Sequence, residues 1–302
     1  MLITSSTRPL RCSGIALIAI LYVLLSGCSA SQLLFFPKKN YLRTPDQIDI
    51  RYQQIVHPSE GGASLNSWYL QSPNKPRGIV YFLHGNAENI STHIASVFWL
   101  PKAGYDVFML DYRGFGLSTG IAKIPEVFSD LESGFEWIQA HNSDKLPVYI
   151  VAQSLGASLA VPFAADPEIN KHINGLVIDA AFGNYAQITR DTLSQHWLTW
   201  LFQYPASWLI SNPYNPVDFI HRVSPVPTLI YHSKQDRVIP YRNAAQLFQK
   251  ANEPKDFFIA KGPHIATFNQ EAARDRLLNF MKSNQTINRP AQSGRPKSEN
   301  PL

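Results

Sequence analysis

Residues 151–160 read VAQSLGASLA, a serine set among small neighbours where an apolar run ends. The stretch misses G-x-S-x-G, the pattern of a serine held on a sharp strand-to-helix turn, because Ala152 stands at the first glycine. A serine hydroxyl is a weak nucleophile alone; it needs a base within hydrogen-bond reach and a third group to orient that base. Two later segments supply candidates: His232-Ser-Lys-Gln-Asp236 and Lys261-Gly-Pro-His264. In chain order Ser154, Asp236 and His264 form the nucleophile, acid and base of an acyl-transfer site. Asp179 also ends an apolar run and competes for the acid role, but Asp236 has the more usual surroundings. Six other histidines (His57, His93, His141, His172, His196 and His221) read as solvated or structural. His232 lies too close in sequence to the acid to be the preferred base.

Acyl transfer also needs donors for the developing oxyanion. One is the backbone N–H of Leu155, directly after the serine. The other falls in His84-Gly85-Asn86-Ala87-Glu88-Asn89, where Gly85 allows close backbone approach. The N–H of Asn86 is the first candidate and that of Ala87 the second, with His84 structural. The run from Asp111 to Gly120 reads G-x-G-x-x-x-G from Gly114 and lacks a following Lys-Ser/Thr pair. It is therefore a shaped turn rather than a phosphate loop. No metal-ligand spacing appears, and no cofactor is implied.

These residues need elements to carry them. Residues 78–83, 105–110, 147–151, 175–178 and 228–231 are apolar, β-branched and aromatic runs of the kind buried on both faces of a parallel sheet. Two more alternating stretches, 50–57 and 64–71, predict an antiparallel edge, and 255–260 an eighth strand. Helices are expected over about 91–101, 125–140, 154–165, 240–251 and 268–282. The pattern is α/β, an eight-stranded, mostly parallel sheet with helices on both faces. Ser154, Asp236 and His264 then all fall just past strand ends, on one edge of the sheet. Residues 183–223 break the rhythm with Trp197, Trp200, Tyr204, Trp208 and Tyr214. They are either a surface excursion packed on the sheet or a small helical lid over an apolar site.

The chain has 302 residues and a formal charge of +5. Arg8 and Arg11 carry two of these charges, and the last 21 residues carry a net three. Residues 28–281 balance to zero, which sets nucleic-acid binding aside. Residues 15–25 form an apolar run of eleven, too short to span a bilayer, which takes roughly 20. They follow the two arginines and precede Leu25-Ser26-Gly27-Cys28, as in a secretory signal. That ending resembles a bacterial lipobox, which implies cleavage before Cys28 and lipidation of its thiol. A plain signal peptide or an uncleaved anchor is the alternative. Ser29 after the cysteine implies outer-membrane sorting in a diderm cell envelope. The mature chain then keeps neither a free thiol nor a disulfide. The expected organisation is a signal peptide over 1–27, one domain over 28–282 with its lid at 183–223, and a disordered tail over 283–302 rich in Pro, Ser and Asn.

HGNAEN, GYDVFMLDYRGFGLSTG, VAQSLGA, NPYNPVDFI and HSKQDRVIP together resemble the α/β-hydrolase superfamily. Within it they are most similar to the Bem46-like, serine-aminopeptidase-type branch, across about residues 33–282. The resemblance implies an eight-stranded core with a Ser154–Asp236–His264 triad. Ala152 and the proline before His264 depart from the pattern without removing a functional group. The aromatic excursion and the lack of a charged cluster near the motifs lead us to expect cleavage of a small-molecule ester or thioester with an apolar acyl group through an acyl-enzyme. The lipobox-like ending leads us to expect a lipid on Cys28 that tethers the chain to a membrane. An aminopeptidase or amidase on the same triad, or a non-catalytic envelope binding protein retaining the fold, are the alternatives.

Overall fold

The computed structural model describes residues 30–194, 199–210 and 213–285. The expected signal, Cys28 and most of the tail lie outside these residues, as does Trp197.

The buried runs become strands. β1 (Tyr52–Ser59), β2 (Ala63–Leu70), β3 (Ile79–Leu83), β4 (Asp106–Asp111), β5 (Val148–Gln153), β6 (Gly175–Asp179), β7 (Thr228–Ser233) and β8 (Lys255–Ala260) form one sheet. Its order is β1-β2-β4-β3-β5-β6-β7-β8. β1 pairs antiparallel with β2, and β2 with β4; every other pairing is parallel. The five middle strands β3 to β7 are buried at every position, as their apolar central runs require, with polar residues such as Asp111, Gln153, Asp179 and His232 buried toward their ends.

Helices between the strands cover both faces. They are α1 (Ile90–His93), α2 (Glu126–His141), α3 (Leu155–Ala164), α4 (Pro167–Asn170), α5 (Tyr185–Ser194), α6 (Gln203–Leu209), α7 (Pro216–Phe219), α8 (Arg242–Lys250) and α9 (Glu271–Ser283). One core holds Val127, Leu131 and Phe135 of α2, Leu159 and Val161 of α3, and Leu247 of α8. The other holds Ile90 and Ile94 with Ala273, Leu277 and Met281 of α9. Each fully buried Leu, Ile or Phe contributes about 1.5–3 kcal/mol, so sheet and helices are fastened to one another over their whole length.

The expected helix over 91–101 is much shorter. α1 ends at His93, a 3-10 turn covers Ile94–Ser96, and turns lead to Gly104. Ile90, Thr92, Ile94 and Val97 are β-branched and propagate a helix poorly, and Pro101 cannot donate within one.

Residues 183–223 leave and return at one point. The Gly183 carbonyl accepts from Val217 N–H (3.0 Å) and the Asn215 side chain accepts from Tyr185 N–H (3.0 Å). Its aromatics divide. Tyr185 is buried against Phe182, and Tyr214 packs on Phe128 at 4.6 Å between ring centres. Trp200, Phe202, Tyr204 and Trp208 are exposed, Trp208 at 73%.

Candidate active site

The strand β5 runs to Gln153 and the helix α3 starts at Leu155, so Ser154 must turn the chain within one residue. It does so at φ 54° and ψ −120°, a left-handed conformation that costs a non-glycine residue on the order of 1–3 kcal/mol. Its N–H donates to the Asp179 carbonyl (2.8 Å), and its own carbonyl accepts from Ser158 N–H (3.1 Å). The turn is possible because Gly156 has no side chain. A Cβ there would collide with the carbonyl oxygens of Leu83 and His84. Ala152 sits fully buried inside β5 with regular partners in β3 and β6.

The loops after β7 and β8 bring the other two residues to this turn. His264 Nε2 lies 2.9 Å from Ser154 Oγ, and His264 Nδ1 lies 2.7 Å from Asp236 Oδ2. The second Asp236 oxygen accepts from the N–H groups of Val238 (2.8 Å) and Ile239 (2.9 Å). Burial pushes the Asp236 carboxyl up, but His264 and these two amides outweigh it and hold the group below its ordinary value. An ionised carboxylate on Nδ1 selects the tautomer that leaves Nε2 free to accept from the serine hydroxyl. The proline before His264 does not prevent this approach; Gly262 and Ile265 on either side take positive φ.

Asp179, the competing acid, is fully buried and turned elsewhere. It accepts from the Thr267 hydroxyl (2.7 Å) and the Gln153 amide (2.8 Å). Burial raises its pKa to about 6. It ties β5 and the chain leading away from His264 together rather than holding the imidazole. His232 is buried and bonded to the Ile239 carbonyl (2.9 Å).

The loop after β3 flanks the serine. Gly85 lies close enough that a Cβ there would stand 3.3 Å from Ser154 Cβ. The Ala87 N–H is engaged by the side chain of Asn86 (2.8 Å). The Asn86 N–H has no protein acceptor among the described residues, so Asn86 rather than Ala87 is the free donor. His84 is buried, contacts the Gly85 carbonyl through Nδ1 (2.8 Å), and stacks on Tyr112 and His93. Burial keeps its pKa well below the ordinary value, so this ring stays neutral.

Three features of the site had no sequence signal. His93 lies against Gly85, Thr267 and Gln153 share Asp179, and residues 36–42 are bonded to the loop 85–91. Each depends on partners far apart in the chain or on backbone groups that every residue type offers.

A sequence model of the family described as serine aminopeptidase, S33 matches residues 74–224. The uncharacterized protein YfhR of Escherichia coli O157:H7 is 32% identical over 244 residues, covering 76% of this chain and 81% of its own. Protein bem46 of Schizosaccharomyces pombe is 24% identical over 300 residues, covering 93% and 96%. Among solved structures, the esterase Pf2001 of Pyrococcus furiosus superposes with a TM-score of 0.71 at 19% identity, over 84% of this chain and 99% of that one. That likeness speaks to the fold.

Proposed function

The chain belongs to the serine aminopeptidase S33 family of α/β hydrolases, and from that premise we propose a serine hydrolase that cleaves acyl esters or thioesters at Ser154. The observation that carries the reading is the unbroken line from Ser154 Oγ through His264 to Asp236. In this reading His264 Nε2 takes the hydroxyl proton as Oγ bonds to the acyl carbon. Asp236 holds the ring and stabilises the imidazolium. The N–H groups of Asn86 and Leu155 receive the oxyanion. Collapse of the tetrahedral species expels the alcohol or thiol, protonated by His264. Water activated by the same ring then attacks the acyl-enzyme and restores the serine. The buried Asp179 and neutral His84 shape the site without exchanging protons with substrate.

An apolar acyl group is favoured by the exposed Trp200, Phe202, Tyr204 and Trp208 on the excursion rooted beside α3, where the Ser158 hydroxyl donates to the Phe182 carbonyl (3.0 Å). The family description keeps an aminopeptidase as the second reading, since the same triad opens amides.

Fluorophosphonate labelling tests the assignment. The wild-type protein is expected to label and Ser154→Ala to remain unlabelled; no labelling of the wild type, or equal labelling of both, overturns it. A panel of acyl esters, thioesters and aminoacyl amides then ranks the substrates.

We also propose that Cys28 carries a lipid and holds the enzyme on the outer membrane of a bacterial envelope. The support is the order Arg8 and Arg11, apolar run, Leu-Ser-Gly-Cys, then Ser29. A palmitate analogue should label the wild type and not Cys28→Ala; labelling that survives the change refutes the anchor.

A further inference from the structure

The loop proposed to bind the oxyanion is held in a conformation its own residues resist. Ala87 (φ 64°) and Glu88 (φ 61°) are consecutive left-handed residues, and neither is glycine. Left-handed backbone is unfavourable for an L-residue because its Cβ crowds the following carbonyl oxygen, so something outside the loop must oppose relaxation.

That constraint is an extended strap, residues 36–42, which crosses the loop. Phe36 N–H donates to Asn86 Oδ1 (2.9 Å), the oxygen that also accepts from Ala87 N–H. Lys38 N–H donates to the Glu88 carbonyl (3.0 Å), and Pro37 bridges Glu88 in parallel fashion. The buried Asn89 amide donates to the carbonyls of Lys38 and Asn40, each at 2.9 Å. Leu42 N–H donates to Ser91 Oγ (2.8 Å).

The far side of the strap is bolted to the turn after β4. Gly116 N–H donates to the Lys38 carbonyl (3.0 Å), and Lys39 Nζ to the Ser118 carbonyl (2.7 Å). Tyr41 donates to Asp111 (2.8 Å), whose other oxygen accepts from Ile90 N–H (2.9 Å). The strap thus couples the rigid end of β4 to both sides of the left-handed pair. By contrast, the Lys38–Glu88 ion pair at 3.3 Å is exposed and adds little.

We propose that the strap is the positioning element of the oxyanion site, and that Asn89 is its principal positioning residue. Through it the N–H of Asn86 is fixed before substrate arrives. The inference rests on the reading of Asn86 as an oxyanion donor.

Asn89 allows a clean separation of roles. Its Oδ1 caps α1 by accepting from Ser91 N–H (3.0 Å), whereas only its amide nitrogen reaches the strap. Asn89→Asp keeps the cap but points a carboxylate oxygen at two carbonyls. Asn89→Ser keeps a capping oxygen and removes the donors without repulsion. Phe36→Pro, at a residue 63% exposed, deletes the N–H that reaches Asn86.

The measurement is ester hydrolysis per titrated active site on the full chain, with the fluorophosphonate rate constant beside it. Loss of one oxyanion donor costs about 100- to 1000-fold in kcat, so a misplaced donor should cost about 10- to 100-fold. The expected result is that fall in kcat and labelling rate for Asn89→Asp and Phe36→Pro, a smaller fall for Asn89→Ser, and KM within about twofold. A purely structural role lowers the number of titratable sites but leaves kcat per site unchanged; that outcome overturns the proposal. A KM effect with kcat intact also overturns it. Absence of labelling in the wild type instead sinks the serine-hydrolase reading itself, so the two failures are distinct.

Discussion

The residue that departs from the nucleophile pattern is Ala152, and its surroundings say which of its neighbours can change. The constraint at the turn falls on Gly156, where a methyl group would strike two backbone oxygens, one of them belonging to the residue before Gly85. Ala152 lies earlier, in a regular strand, with its side chain fully buried. Ala152→Gly should therefore leave kcat within about twofold and lower stability by about 1 kcal/mol, through added backbone freedom in the unfolded chain. Gly156→Ala should lower kcat at least about tenfold, because β3 and the loop 85–89 must shift to admit the methyl group. Circular dichroism melts and ester kinetics on both proteins check this; a gain in kcat for Ala152→Gly would show that the alanine does distort the turn. At this scale Ser154, Asp236 and His264 were readable because each is a distinctive residue type placed just after a strand. Asn89 was not readable, because its partners are the carbonyls of Lys38 and Asn40, which no side-chain type announces.

Among elements, the buried strands were legible for a simple reason: a run of Val, Ile, Leu, Phe and Tyr without polar interruption has no exposed face to offer. The structure moves their boundaries by a residue or two: Asp111 and Gln153 are the last residues of strands rather than turn residues, while Asp179 ends its strand as its sequence position led one to expect. The excursion over 183–223 was harder, since aromatic composition does not distinguish an aromatic that packs from one that waits for a ligand. The structure divides them: Tyr185 and Tyr214 anchor, while Trp200, Phe202, Tyr204 and Trp208 face outward on and beside α6. The sequence between Asp191 and Asp218 holds no Lys, Arg, Asp or Glu, and a charged group that reaches α6 from outside it is Arg190, whose Nη1 donates to Ser207 Oγ (3.4 Å). Such a surface suits apolar acyl chains. Trp208→Ser combined with Phe202→Ser should raise KM for long-chain esters about 5- to 20-fold and leave acetyl esters within about twofold, since each aromatic removed forfeits apolar contact available only to the longer chain. Equal effects on both chain lengths would assign these residues to folding instead.

At the scale of the whole molecule, buried ionisable groups tie distant parts together, and they make stability depend on pH. Asp111 is the main junction: fully buried, it joins the strap through Tyr41, α1 through Ile90, and the end of β4. Burial raises its pKa to about 7, against which the Ile90 amide, Tyr41 and Lys39 pull only partly. Between its unfolded value near 3.8 and about 7 the folded protein holds a proton that the unfolded chain has released. Stability from this group is therefore full below pH 4 and is lost as pH rises toward 7. His57 acts in the opposite sense, because burial lowers its pKa to about 4, with Asp130 opposing; the folded state resists protonation and loses stability as pH falls from 6.5 toward 4. A melting curve of the wild type mixes the two effects, so a double difference is needed. Asp111→Asn keeps an oxygen for Ile90 N–H but cannot ionise. Its cost in urea unfolding should be smaller at pH 8 than at pH 5, by on the order of a few kcal/mol. An equal cost at the two pH values would mean that Asp111 ionises as freely as an exposed carboxyl. Because the strap is fastened at Asp111, the same variant links this stability term to the loop beside Ser154. If fold and site share this junction, ester kcat should respond to Asp111→Asn even though its side chain lies outside the Ser154–His264–Asp236 line.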